Sequence, residues 1–210
     1  MTSRSTGTAG LVFALVLSLS ASATAQIEVA GDTVCANAAQ SLRASASGRE
    51  VTAALASLIT CPDSGPRTIT EFWATGPYDR EVIASLAEVS GRLRDRRLHE
   101  AVRRILLDTS ENQNLRIGAL AALATHGDPC FALYIRAEPT HAPGGSAYVM
   151  RGWRNDAQSW EGSEGLPVSI LADVIDLLQG VAKAEPDTPT GMVAALAMVE
   201  LRRAGGTRRC

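Results

Sequence analysis

The sequence predicts an all-α protein built as a short array of paired, stacked helices with one long irregular loop. Three observations predict it. Apolar residues recur at the three- and four-residue spacing of an amphipathic helix from residue 34 almost to the C-terminus. Gly, Pro and Asp punctuate those stretches in the order in which helices stop and start. A short motif, a small residue followed by Leu and by an apolar residue three positions later, recurs as Ala54-Leu55 with Leu58, Ser85-Leu86 with Val89, Ala119-Leu120 with Leu123 and Ala195-Leu196 with Val199. Periods of 20 to 50 residues are the signature of stacked helical repeats, in which no single pair buries its own apolar face.

The 210 residues are 46% hydrophobic, 20% charged and only 4% aromatic, which excludes a collagen, a disordered tail and a disulfide-dense miniprotein. Residues 1–25 carry one charge, Arg4, then the apolar run LVFALVLSL, then small residues up to Ala25. This is the pattern of a secretory signal peptide cleaved before Gln26, and the run is too short for a membrane span. The expectation is an exported protein, periplasmic or extracellular, whose single domain is residues 26–210, with no stable membrane insertion once the leader is gone. The formal charge of −2 becomes more negative on loss of Arg4, which argues against a nucleic-acid partner.

Residues 34–46 read as a small, alanine-rich helix, and 49–60 as a second with Val51, Ala54, Leu55, Leu58 and Ile59 on one face. Cys61-Pro62 through Pro66 breaks the chain, and residues 67–75 form a short helix carrying Ile69, Phe72 and Trp73. Asp79 caps the next helix, whose stripe of Val82, Ile83, Leu86 and Val89 ends at Gly91. Its partner sets Leu98, Ala101, Val102, Ile105 and Leu106 against Arg96, Arg97, His99, Glu100, Arg103 and Arg104, so His99 is expected on the solvated face. Residues 114–125 bury Ile117, Leu120, Ala121 and Leu123 or Ala124. His126 at that helix's end is expected to act as a cation favoured by the dipole. Asp128-Pro129 is expected to restart a helix carrying Phe131, Leu133, Tyr134 and Ile135.

Periodicity is lost over residues 138–165, which hold five of the chain's eighteen glycines and two of its three tryptophans. Loops of this length are uncommon and tend to carry function. Tyr148, Arg151, Trp153, Arg154 and Trp160 are the candidate binding residues, since aromatic and Arg side chains dominate interface energetics. A hairpin around Asn155-Asp156 would present them. Pro167 then opens a helix with Ile170, Leu171, Val174, Ile175, Leu178 and Val181, and residues 190–203 form the last.

The four cysteines, Cys35, Cys61, Cys130 and Cys210, would meet an oxidising compartment, where an even count implies two disulfides. Of three formal connectivities, a helical hairpin favours Cys35 with Cys61, leaving Cys130 with Cys210. No pair has the spacing of zinc ligands, so neither a metal nor a cofactor is expected.

Asn114-Leu115-Arg116-Ile117-Gly118-Ala119-Leu120-Ala121-Ala122-Leu123, followed by Gly127-Asp128-Pro129, resembles a HEAT repeat, with an apolar-Arg opening, small-Leu steps and a Gly-Asp-Pro turn. Segments from Arg49-Glu50-Val51 and Arg80-Glu81-Val82 match more loosely, so the resemblance covers residues 49–136. It implies an α-α superhelix serving as a scaffold for a protein or peptide partner, and it brings no catalytic residues; the 138–165 insert departs from it. The expected function is an exported, non-enzymatic binding module. Its rival is a small secreted hydrolase or transferase working through the loop histidine His141, or through His126, with Ser146 or Ser159 as nucleophile, although no G-x-S-x-G or H-E-x-x-H motif is present.

Overall fold

A computed structural model describes residues 33–44, 47–76, 79–137, 147–153, 159–167 and 170–204. The proposed leader, Arg154, His141 and Cys210 lie outside them. The fold is all-α: α1 (33–44), α2 (Gly48–Leu58), α3 (Ser64–Thr75), α4 (Arg80–Arg92), α5 (Arg96–Leu107), α6 (Gln113–Gly127), α7 (Leu171–Ala184) and α8 (Pro189–Ala204). Side-chain caps start five of them, and at α8 Thr188 Oγ1 accepts from Gly191 N–H. Ser47 accepts from Glu50 N–H, Asp79 from Val82 N–H, Asp95 from Arg97 and Leu98, and Asn112 from Asn114, each pairing a donor that a helix start leaves orphaned.

The helices pack in two layers. α2, α4, α6 and α8 touch in succession, α3 lies along α5, and sequential pairs α5–α6 and α7–α8 pack as hairpins. This order of contacts is compatible with a helical-repeat fold. α4 and α6 pack tightly, with one glycine from each making room. A Cβ on Gly118 would come within 2.6 Å of Ile83 Cγ2, and one on Gly91 within 2.7 Å of Thr125 Cβ. One glycine on each helix thus sets the spacing of this pair.

α6 is the centre of the molecule. Every residue from Leu115 to His126 is buried, not only the one stripe that periodicity suggested. Arg116 is one of the polar members of this helix that bind its neighbours. Its Nε donates to the Leu106 carbonyl at 2.9 Å, and its two Nη groups grip the Glu185 carboxylate at 2.8 and 2.5 Å, joining α5, α6 and the end of α7. The Arg116 guanidinium holds the Glu185 carboxyl below the usual carboxylate range.

Two segments differ from the sequence reading. Asp128-Pro129 starts a strand rather than a helix: Asp128 Oδ1 accepts from Cys130 N–H, the Phe131 N–H bonds the Asp128 carbonyl, and β2 (Phe131–Ala137) follows. The apolar residues at 131, 133 and 135 fit the two-residue period of a strand, and buried Phe131 and Leu133 sit on one face of it. β2 pairs antiparallel with β3 (Ala147–Trp153), which lies within the stretch read as irregular, so the hairpin closes over residues 138–146 rather than at Asn155-Asp156. β4 (Trp160–Glu161) pairs in parallel with β1 (Leu93–Arg94).

Cys35 and Cys61 are bonded, as the hairpin argument expects. The pairing proposed for Cys130 involves Cys210, outside the described residues. The Cys35–Cys61 bridge closes 26 residues of chain, so C35S/C61S should lose about 3 kcal/mol of stability in urea unfolding, the unfolded chain being freed of that constraint. Arg116→Leu should cost about 3 kcal/mol in the same measurement, because Glu185 then loses the partner that compensates its desolvation, whereas R116L/E185L should recover part of the loss.

Candidate functional site

The site is assembled from the start of α5, the end of α6 and the segment leading into α7. Asp95, fully buried, caps α5 and also accepts from the Glu164 N–H at 3.3 Å and from Arg97 Nε and Nη2 at 3.2 and 3.0 Å. The bond to Asp95 raises the pKa of Arg97. Gly162 packs against the same carboxylate so closely that a Cβ there would lie 2.4 Å from Asp95 Oδ2. Arg94, also buried, donates to the His126 carbonyl at 3.3 Å and the Pro167 carbonyl at 3.1 Å, and pairs with Glu161 at 3.4 Å. Residues 160–167 are thereby fastened to α5 and α6.

Where regular stacking would lay α7 beside α5, a cleft of about 550 Å³ opens instead. Its α5 wall carries Arg96, His99, Glu100 and Arg103; its α7 wall carries Asp173 and Asp176, and Leu166, Ile170, Val174 and Leu177 supply the apolar surface. Glu100 and Arg103 pair at 3.7 Å.

At the back of the cleft two histidines meet. His99 Nδ1 and His126 Nδ1 are 3.1 Å apart, and His126 Nε2 is 2.8 Å from the Ser90 carbonyl. The protons follow from valence. A carbonyl only accepts, so His126 Nε2 carries a hydrogen; the neutral ring then presents Nδ1 as an acceptor, and His99 Nδ1 must donate to it. His99 Nε2 is left as a bare lone pair with no hydrogen-bond partner among the described residues. Protonation of His126 would set two N–H groups against each other, whereas protonation of His99 at Nε2 leaves both bonds intact.

Burial, first, and then the neighbouring His99 drive the His126 pKa down to about 3, and burial lowers that of His99. Two expectations are corrected here. His99 is 8% exposed rather than solvated, and His126 is a neutral, wholly buried ring rather than a cation. His126 does serve a helix terminus, but α4's: it satisfies the Ser90 carbonyl, one of the last four that a helix leaves unpaired. The sequence held one clue to His99, which lies three residues before Val102 and seven before Leu106 at the edge of the buried stripe. Nothing in the sequence paired it with His126, 27 residues on.

Of the aromatic candidates, Trp160 is half-buried against the helical core. Tyr148, Arg151 and Trp153 lie on β3, in register with Arg136, Leu133 and Phe131. The structure does not bring Trp160 into that register, since β4 pairs with β1. Among the described residues no three His, Cys, Asp or Glu side chains cluster as a metal site would require. No helix of the described residues is long and apolar enough to cross a membrane. Comparison of the chain with family models, curated proteins and solved structures found no match.

His126 stays neutral in the fold and titrates normally when unfolded. Its contribution is therefore complete above the ordinary histidine pKa of about 6.5 and is lost as pH falls from there toward 3. Urea unfolding at pH 7.5 and 5.5 should show a drop of at least about 1 kcal/mol, and ¹⁵N-detected ring spectra should show the proton of His99 on Nδ1 and that of His126 on Nε2. The reverse tautomers would refute the assignment.

Proposed function

We propose that the protein is an exported, non-enzymatic binding module, a short HEAT-like array that offers a protein or peptide partner its helical surface and the β2–β3 hairpin bearing Tyr148, Arg151 and Trp153, with Arg154 next in sequence. The observation that carries this reading is the break in stacking between α5 and α7. A continuous array would close that face, whereas here it remains a cleft walled by Arg96, Asp173 and Asp176, none of which has an ion-pair partner among the described residues. The Cys35–Cys61 bridge is in keeping with an oxidising compartment.

The rival reading, a secreted hydrolase or transferase acting through His141, has its histidine outside the described residues. The histidine that does line a cleft, His99, shares it with carboxylates, guanidinium groups and aliphatic side chains, the mixed polar and apolar surroundings of a binding site.

Secretion from the native host should yield a chain beginning at Gln26. Cross-linking capture in that exported fraction should recover a discrete partner with the intact protein. Recovery should fall when residues 138–158 are replaced by a short Gly-Ser linker, keeping 159–165 because they hold α5. An unprocessed N-terminus would overturn the export reading, and equal capture, or none, with both proteins would overturn the role of the hairpin.

A further inference from the structure

We propose that the cleft between α5 and α7 is a site for a primary ammonium on an aliphatic stem, the ammonium donating to His99 Nε2 and balanced by Asp173 and Asp176. This names the ligand class of the cleft and rests on the binding reading above. Three observations converge. First, the hydrogen-bond chain Ser90 carbonyl, His126, His99 fixes the free nitrogen of His99 as an acceptor, so the ligand group that meets it must be a donor. His99 is more than nine-tenths buried, and a lone pair held there gains more from a donor than it would in open water. Second, the lining holds three carboxylates, Glu100, Asp173 and Asp176, against two guanidinium groups, Arg96 and Arg103, and one neutral imidazole. With Glu100 and Arg103 paired to each other, what remains is an excess of negative charge toward α7. Third, Leu166, Ile170, Val174 and Leu177 give an aliphatic stem an apolar surface to lie on. An anion would find Arg96 alone against a lone pair and the two carboxylates of α7.

The same chemistry makes binding pH-dependent. The groups facing His99 are Arg96, Glu100 and Arg103 on its own helix, Arg94 from β1, His126 from α6, and Asp173 and Asp176 from α7. Protonation at Nε2 converts the acceptor into a donor and adds a like charge beside the ammonium, while the hydrogen bond to His126 survives. Acid therefore releases the ligand without dismantling the site.

The chemistry has two sources, a free alkyl amine and a lysine side chain of a polypeptide. Titration of the intact protein with 1,5-diaminopentane and with Nα-acetyl-lysine methylamide, followed through the His99 ring resonances, tests the site and separates them. A capped lysine also offers carbonyls to Arg96, so tighter binding of that probe identifies a polypeptide and tighter binding of the diamine a free amine; either supports the site. Binding at pH 7.5 should weaken at least about tenfold in D173N/D176N, whose exposed positions leave folding intact, and should weaken progressively as pH falls through the lowered pKa of His99. The Nε-acetylated lysine probe should not bind. Equal binding of that neutral probe, preference for succinate, or no saturable shift of His99 with any probe would overturn the proposal. Since the capture experiment reads the hairpin, a partner retained there alongside a silent cleft would sink this inference and leave the binding module standing.

Discussion

The structure depends on the enclosure of α6. A helix buried from Leu115 to His126 has no wet face on which to place a polar side chain, so each polar group it carries must be satisfied from within. Arg116 meets this requirement through the Leu106 carbonyl and the Glu185 carboxylate, and Thr125 through the Ala121 and Phe131 carbonyls. His126 meets it through the Ser90 carbonyl and His99. The neighbours are consequently tied to α6 by specific bonds as well as by apolar contact. The histidine pair is one product of that constraint, because a buried ring with a carbonyl on one nitrogen needs a donor on the other.

The insert between α6 and α7 gives the fold its departure from regular stacking. Asp95 and Arg94 sit where α4 hands over to α5, and together they bind residues 160–167 through backbone and side-chain bonds. With that segment seated at the head of α5, α7 starts at a distance from α5 and leaves the cleft. These two charged residues thus serve as structural anchors, and the opening they maintain exposes the one free imidazole nitrogen of the pair.

Much of the architecture was legible. The apolar stripes of α2, α4 and α5, the Asp79 cap and the Cys35–Cys61 bridge all follow from local rules, because spacing, capping and hairpin geometry involve residues near one another in the chain. The errors arose where a local pattern had two readings. Phe131, Leu133 and Ile135 suit a strand as well as a helix, and only the Asx turn at Asp128 and pairing with β3 decided between them. The site was least legible, since His99, His126, Asp173 and Asp176 come from three helices and the sequence carries no motif that joins them.

By itself the sequence determined that this is an all-α chain of amphipathic helices, roughly where most of them lie, and which two cysteines meet across the first hairpin. Helical period and turn chemistry are properties of neighbouring residues and survive without knowledge of the fold. The tertiary structure alone decided that α6 is enclosed on every side, that His99 turns inward to meet His126, and that α7 stands away from α5. Those outcomes hang on the satisfaction of buried polar groups by partners 27 to 73 residues distant, which no local pattern encodes.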